Sequence, residues 1–580
     1  MKKDDLKHLI QVATGREKAE LVIKNCKVVN VYTGEIIDGD IAITNGKIAG
    51  VGEYEGAEVI QANGAYAIPG LIDSHIHIES AFVTPEEMGA LVVPCGTTTL
   101  IADPHEIVNV CGVSGFEYMV EAGKGTDLDI KYQVPSCVPA TPFEHSGAVI
   151  DSLALEQLLS HEEAFGVGEL MNFPGVVFTD EEVMGKIVAG KNAHRIIDGH
   201  APGLTGKDLN AYVAAGIKTD HECFTVEEME EKLRLGMYIL LREGSASQNL
   251  RGLLKGLTLA NHRRLLLCSD DRQPKDILEK GNVDNHLRTC VEEGVDPIVA
   301  IRMATLNPAE CYGLSDRGAI APGLRGDVVL VNNLTDFEVG QVIIQGKLVA
   351  KDKVYLGKFE KVNADQVASS VHVKDLSGDQ LNLKASSNHL KVIEIIPGEI
   401  VTKKGSAKVN LTPEGDFVFD PGQDLVKIVI VERHQRTGNV AVGLLKGYGI
   451  KKGAVAQTIA HDSHNIVAVG VSNEEILAAI QEIIQMNGGA VVVEDGEAIY
   501  RLPLPIGGLM SDQDGQWVSE QLEGIQNILH EELGVNPDVE PLMTLSFMAL
   551  PVIPELKITD MGLFDVTKFA FTAIEAEIES

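Results

Sequence analysis

Along residues 69–312, short apolar runs alternate with amphipathic stretches. The runs "AYAIPGLID", "GTTTLIAD", "DIKYQVPSCVP", "AFGVGEL", "IIDGHA", "GIKTDHEC", "MYILLREG" and "RRLLLCSDD" read as short buried strands. Between them, "PEEMGALVVPC", "LEQLLSHEE", "TDEEVMGKIVAG" and "TVEEMEEKLRLG" carry helical periodicity. Alternation of this kind predicts parallel strands joined by crossover helices. A count of about eight units fits a (β/α)8 TIM-type barrel. A doubly wound open sheet is the rival, but no Gly-x-Gly-x-x-Gly turn follows a first strand.

The pattern differs on both sides of this segment. "LVIKNCKVVN" and "GDIAITNGKIAGVG" are rich in Val and Ile, and Asn45-Gly46 is a tight hairpin signal, since both residues tolerate positive φ. Similar pieces return after the insert as "GDVVLVNN" and "VGQVIIQGKLVAKDK", where Gly346-Lys347 echoes Gly46-Lys47. One small, discontinuous β domain, residues 1–68 plus 313–360, is therefore expected around a barrel of residues 69–312. Beyond the polar, Ser-rich stretch "SSVHVKDLSGDQLNLK", residues 361–580 read as a separate C-terminal α/β domain. Its strands are "KIVIVER", "NIVAVGV" and "AVVVEDG", and its helices "NEEILAAIQEIIQMNGG" and "GQWVSEQLEGIQNILHEEL".

Composition narrows the partners. Asp plus Glu is 84 against 49 Lys plus Arg, a formal net charge of -35, which disfavours nucleic acid and anionic membrane surfaces. A small neutral or cationic substrate fits that balance. The eight cysteines are scattered without a Cys-x-x-Cys pair and read as free thiols of a reducing compartment. The first residues hold no uncharged apolar core, and no run is long and apolar enough to span a membrane. A cytoplasmic location is the expectation.

The informative polar residues stand at the carboxyl ends of the expected strands, where a barrel of this kind builds its active site. In "PGLIDSHIHIES", His75 and His77 share one face of the first strand. Glu169 ends "FGVGEL", His200 ends "RIIDGH", His221 follows "GIKTD", and Asp270 ends "RLLLCSD". Any one of these has a structural explanation as a hydrogen-bonded strand end, and Asp271 reads as a cap of the next helix. Six metal-competent side chains on one rim are hard to obtain from capping and solubility, so a metal centre is the better reading.

"PGLIDSHIHIES" resembles the first-strand motif of the amidohydrolase superfamily, as do the discontinuous β domain, the later strand-end histidines and the final Asp. Many members bridge two metals with a carbamylated lysine; the matching segment here, "GVGELMNFPGV", has Glu169 and no lysine. That glutamate, with "IADPHEIVNVCG", "SDDRQP" and "AHDSHN", makes nearly the whole chain similar to the bacterial adenine deaminase branch. The resemblance implies purine salvage by hydrolytic deamination of adenine to hypoxanthine and ammonia, through a hydroxide bridging two divalent metals. His75, His77 and Asp270 would hold the more buried ion, and His200 and His221 the more exposed one. A carboxylate has two oxygens, so Glu169 can give one to each. Imidazole and carboxylate donors suit Zn2+, Fe2+ or Mn2+, and the resemblance favours Mn2+ or Fe2+ over Zn2+. It also implies a homo-oligomer, a dimer or larger.

Two carboxyls are the candidate proton carriers. Asp270, beside the hydroxide, is the shuttle to the departing amine. Glu106 in "DPHEIVNV" is the candidate acid for a purine ring nitrogen, because burial should raise its pKa; its alternative role is support of a histidine. His105 is expected to point away from Glu106, and Arg272 to orient Asp271 or a loop. The cluster His461–Asn465 has three readings: a third metal site, a turn satisfying backbone groups, or a loop closing over the barrel mouth and excluding water, the last being the expectation. Two rival functions share parts of the pattern. A cyclic-amide hydrolase of dihydroorotase or hydantoinase type normally keeps the bridging lysine, and a non-catalytic assembly protein tends to lose ligands. The zinc deaminases that act on polynucleotides use Pro-Cys-x-x-Cys, whereas Pro94-Cys95 here is followed by Gly and Thr.

Overall fold

The computed structural model describes residues 2–576, residue 246 excepted. Three bodies of structure are built on separate sheets. The first is a nine-stranded sheet that draws Ala19–Asn30, Glu35–Thr44, Lys47–Gly52, Gly56–Gln61 and Tyr66–Pro69 from before the barrel. It takes Val328–Val331, Val339–Ile344, Lys347–Lys351 and Val354–Tyr355 from after it. The two ends of the chain meet where Tyr66–Pro69 pairs antiparallel with Val328–Val331. Asn45 and Gly46 both have positive φ (49° and 69°), and so do Gln345 and Gly346 (50° and 77°). Both hairpins thus use the tight turn read in the sequence, whose twist matches that of the flanking strands.

The barrel strands are Leu71–Ile76, Thr97–Ala102, Asp129–Val134, Ala164–Leu170, Ile197–Gly199, Thr219–Asp220, Tyr238–Arg242 and Leu265–Cys268. Successive strands pair in parallel through Ile197–Gly199 and again from Thr219–Asp220 onward. Lys218 N–H donates to Ile197 O at 3.0 Å and joins the two halves. A parallel bridge between Ile76 and Asp270, with Asp270 N–H on His75 O at 2.9 Å, closes the ring. Nearly every residue of these strands is buried, as expected where helices cover one face and the barrel core fills the other.

The run "AYAIPGLID", read as one strand, is two. Tyr66–Pro69 lies in the small sheet and Leu71–Ile76 in the barrel. Gly70 makes the passage: a Cβ there would lie 2.2 Å from Thr98 Oγ1 and 3.0 Å from Asp327 Cβ. Hydrophobic patterning alone hides the division, because both halves are buried.

The C-terminal body is an eight-stranded, mostly antiparallel sheet, ordered Thr402–Lys408, His389–Ile395, Val440–Lys446, Leu425–Val431, Ile466–Gly470, Ala454–Gln457, Gly489–Glu494, Glu497–Pro503. The helix Asn473–Met486 packs on it through Ile476, Ala479, Ile480 and Ile483, the i, i+3, i+4, i+7 stripe of an amphipathic helix. Ser472 caps its first turn through Glu475 N–H, and Asn487, at φ 57°, ends it. Each isoleucine buried there contributes about 1.5–3 kcal/mol over leaving it exposed.

This body is stitched onto the barrel rim. Asp560 accepts from His145 N–H at 2.9 Å, Asn465 donates to His145 O at 2.8 Å, and Gln435 donates to Ser146 O at 2.9 Å. The eight cysteines are unpaired; six are buried, while Cys95 and Cys111 are half-buried. Among the described residues no helix is long and apolar enough to cross a membrane.

Candidate active site and metal centre

The six strand-end residues meet in one buried cluster. On the first barrel strand, alternation brings His75 Nε2 and His77 Nε2 to 3.1 Å. Asp270 follows the last strand, which is the neighbour of the first in the closed ring. Its Oδ1 lies 3.5 Å from His75 Nε2 and 3.1 Å from His77 Nε2. Asp270 holds φ at 57°, a left-handed conformation that an aspartate tolerates better than a branched residue.

Glu169 sits between two sets of imidazoles. Its Oε1 is 3.4 Å from His77 Nε2, and its Oε2 is 2.8 Å from His200 Nδ1 and 3.2 Å from His221 Nε2. None of the six is more than 4 % exposed. Packing so many donors out of water is costly unless a cation or protons balance them.

The donor set fits divalent metal. His75, His77 and Asp270 place ligand atoms within 4.8 Å of one another, as do His75, Glu169 and His221. His77 Nδ1 is held by Asp103 O at 2.9 Å, which orients the ring and leaves Nε2 facing the cluster. Glu169 Oε2 and His200 Nε2 are buried without a hydrogen-bond partner of acceptable geometry. Imidazole and carboxylate atoms converging this way are what a divalent ion needs.

Charge in the chain reinforces the arrangement. Burial pushes the Glu169 carboxyl up, but His200 and His221 overcome it and hold it well below the usual carboxylate range. Burial also works against ionised Asp270. There the Arg242 guanidinium, with His75 and His77, wins and keeps the carboxyl well below its ordinary value.

Arg242 was not foreseen from the sequence. It ends the seventh barrel strand, is 1 % exposed, and donates to Asp270 Oδ2 at 2.6 Å, to Ser247 Oγ at 2.8 Å and to both oxygens of Glu222. Glu222 was also missed. Both are ordinary-looking charges in "MYILLREG" and "TDHEC". The signal that would have found them is that a strand-end arginine beside buried carboxylates must pair with them.

Glu106 lies in the same cavity wall, at the start of the helix His105–Cys111. Its Oε1 lies 2.8 Å from Ser80 Oγ, whose one hydroxyl proton goes to Asp271 Oδ1, so the hydroxyl accepts from the Glu106 carboxyl. Burial, together with Glu79 and Asp271, pushes its carboxyl well above the usual range. His105 does not point away as expected: its Nδ1 is 3.4 Å from Glu169 Oε1, and it too lines the cavity. The residues open a helix rather than continue a strand, so neighbours need not face opposite sides.

Asp271 is not a helix cap. The next helix begins at Pro274 after Gln273, and Asp271 Oδ1 accepts from Ser80 Oγ at 2.5 Å. Arg272 orients a loop, donating to Gly281 O at 3.1 and 2.7 Å and to Glu243 O. Asp73 and Glu79 are supports: Asp73 accepts from Ser269 and Asn282, and Glu79 from Ile107 N–H.

The roof comes from the C-terminal body. Ile400, His461, Asp462, Phe547, Leu550 and Ile553 face the metal-ligand floor across the cavity. Imidazoles and carboxylates that could take cations stand on its floor, apolar side chains in its roof, and His105 and Glu106 in its wall.

Two family models match the chain: the amidohydrolase family over residues 66–349 and the adenine deaminase C-terminal domain over residues 399–570. Among curated proteins, it is 55% identical over 576 residues to adenine deaminase 2 of Desulfotalea psychrophila, covering 99% of this chain and 100% of that one. It is 50% identical over 578 residues to the adenine deaminase of Ligilactobacillus salivarius, covering 100% of both.

Proposed function

The chain belongs to the adenine deaminases of the amidohydrolase family, and on that premise we propose that its barrel rim hydrolyses adenine to hypoxanthine and ammonia. His75, His77 and Asp270 would hold one divalent ion and His200 and His221 the other, with Glu169 supplying one oxygen to each. The observation that carries this reading is the division of the Glu169 carboxylate, whose Oε1 faces His77 while Oε2 faces His200 and His221. Divalent ions held by this donor set would supply Lewis acidity that makes water a competent nucleophile at neutral pH. Manganese or iron is the proposed metal.

The remaining work falls to the chain's own groups. Adenine C6 belongs to an aromatic amidine and resists attack until a ring nitrogen is protonated. Glu106, kept protonated by burial and by its carboxylate neighbours, donates to that ring nitrogen as the C6–O bond forms. Asp270 accepts the proton that remains on the oxygen added to C6 and delivers it to the exocyclic nitrogen, so the C6–N bond breaks to release ammonia, and Glu106 regains its proton when the next water ionises. Arg242 grips Asp270 Oδ2 and leaves Oδ1 toward the floor, fixing the shuttle's orientation. The roof keeps bulk water from the protonated ring.

A panel of adenine, adenosine, guanine and dihydroorotate, assayed with the manganese-loaded chain, tests the activity. Ammonia and hypoxanthine from adenine are expected. Opening of dihydroorotate without turnover of adenine would replace the reading with a cyclic-amide hydrolase. We also infer a cytoplasmic homo-oligomer, a dimer or larger. Native mass spectrometry checks the assembly, a monomer alone being the contrary result.

A further inference from the structure

His461 stands apart from its neighbours in the roof. It is 5 % exposed and lines the cavity. Its Nδ1 is 3.9 Å from both Glu106 Oε1 and Asp462 Oδ1, beyond hydrogen-bond distance. Its ring plane is set by Phe547, stacked at 4.5 Å between centroids and 23° between planes, and its backbone N–H is tied to Ser546 O at 2.9 Å. Burial leads the influences that hold the imidazole neutral near pH 7, so it offers one N–H and one lone pair.

The loop beneath it is rigid. Arg433, buried, donates to His464 O, to Ser370 O at 3.0 Å and to Gly507 O at 3.0 Å, and His434 Nε2 bonds Ser463 O at 2.7 Å. A buried, oriented imidazole with unused hydrogen-bonding capacity in a cavity wall is a recognition group awaiting a partner.

A cation is not that partner. Glu106, His461 and His464 bring ligand atoms within 4.8 Å of one another. Yet His464 Nδ1 accepts Ala460 N–H at 3.2 Å. A neutral ring that accepts at Nδ1 carries its proton on Nε2 and has no lone pair left there for a metal. His461, by contrast, has the Asp462 carboxylate on its Nδ1 side, with Oδ1 at 3.9 Å. It favours the proton on Nδ1 and leaves Nε2 as an acceptor.

We propose that His461 is a substrate-reading residue, whose Nε2 accepts the N9–H of the free purine base. The inference rests on the adenine reading above. With C6 at the metal-ligand floor, the opposite end of the purine, which carries N9–H, meets the roof. A substituent at N9 removes the donor and collides with Phe547 and Leu550, so the same contact selects the free base over a nucleoside.

The test compares adenine with two isosteres in the wild-type holoenzyme and in His461→Ala and His461→Gln. 7-Deazaadenine keeps N9–H, and 9-deazaadenine has C–H in its place. The wild-type chain should bind 9-deazaadenine about tenfold more weakly than 7-deazaadenine, the loss of one neutral hydrogen bond. His461→Ala should raise KM for adenine about tenfold with kcat within about threefold, erase the difference between the isosteres, and leave metal content at two ions per chain. The Gln variant, whose amide oxygen accepts, should restore much of the difference.

Equal binding of the two isosteres by the wild-type chain would overturn the contact, however the variants fold. So would an unchanged adenine KM in His461→Ala. Either result, with adenine turnover intact, leaves the deaminase reading standing; absence of wild-type turnover on adenine would remove that reading and the contact with it.

Discussion

Lys557 gives a prediction that can be worked from the structure with its sign. The residue lies in the strand Leu556–Thr559, is 0 % exposed, and donates from Nζ to Ile400 O and Phe547 O, both at 2.9 Å. It thus ties together two pieces of the roof over the cavity. A neutral amine has two N–H groups for those two carbonyls, and a third proton would find no acceptor. Burial alone brings the amine down to about 7, from an ordinary lysine value of about 10.4.

Between those two values the unfolded chain binds more protons than the folded one, so stability rises with pH across that window and is lost as pH falls toward 7. The burial penalty is about 4–5 kcal/mol at pH 6 and about 2 kcal/mol at pH 9, a gain of roughly 2–3 kcal/mol. Lys557→Met abolishes that slope. It also leaves the Ile400 carbonyl without a donor, a cost of about 1–3 kcal/mol that does not depend on pH. Thermal unfolding of both proteins from pH 6 to 9 is the assay. The wild-type Tm minus the variant Tm should grow by about 5–10 °C for a C-terminal body of this size. A difference that stays constant with pH would refute the neutral amine.

Three substitutions probe the floor and the wall. Glu169→Gln replaces a two-oxygen bridge by one oxygen and one amide nitrogen, so bound metal should fall from two ions to at most one, read by elemental analysis, with deamination lost. Glu106→Gln should keep both ions and lower kcat by about 10²–10⁴-fold; full activity would remove its role as the acid. Arg242→Met strands Asp270 and Glu222 without their cation and should cost about 3–5 kcal/mol of stability, seen as a large fall in Tm.

Much of the site was legible because metal chemistry restricts residue types and strands restrict their place. Alternation put His75 and His77 on one face, and each later strand announced its carboxyl end by a break in apolar character. Glu169 carried the most information, since it stood where the resemblance led one to expect a lysine.

What escaped was set by contacts between distant segments. Arg242 and Glu222 are separated by 20 residues and pair only once the barrel closes. Asp271 looked like a cap because local propensity says so, but Ser80, 191 residues away, takes its carboxylate. Phe547, Leu550 and Ile553 are apolar and carry nothing that marks a site. Only the docking of the C-terminal body turns that apolar segment into the roof of a site, and no periodicity encodes a docking angle. The division of residues 65–73 into two strands was likewise invisible, because Gly70 matters through the closeness of Thr98 and not through any local pattern.

The measurement closest to the central claim is a titration of the chelator-stripped chain with manganese, following adenine deamination by the loss of adenine absorbance. Activity should rise until two ions per chain are bound and then stop. Full activity at one ion per chain, or adenine left intact at two, would contradict a hydrolase built on the six residues of the barrel rim.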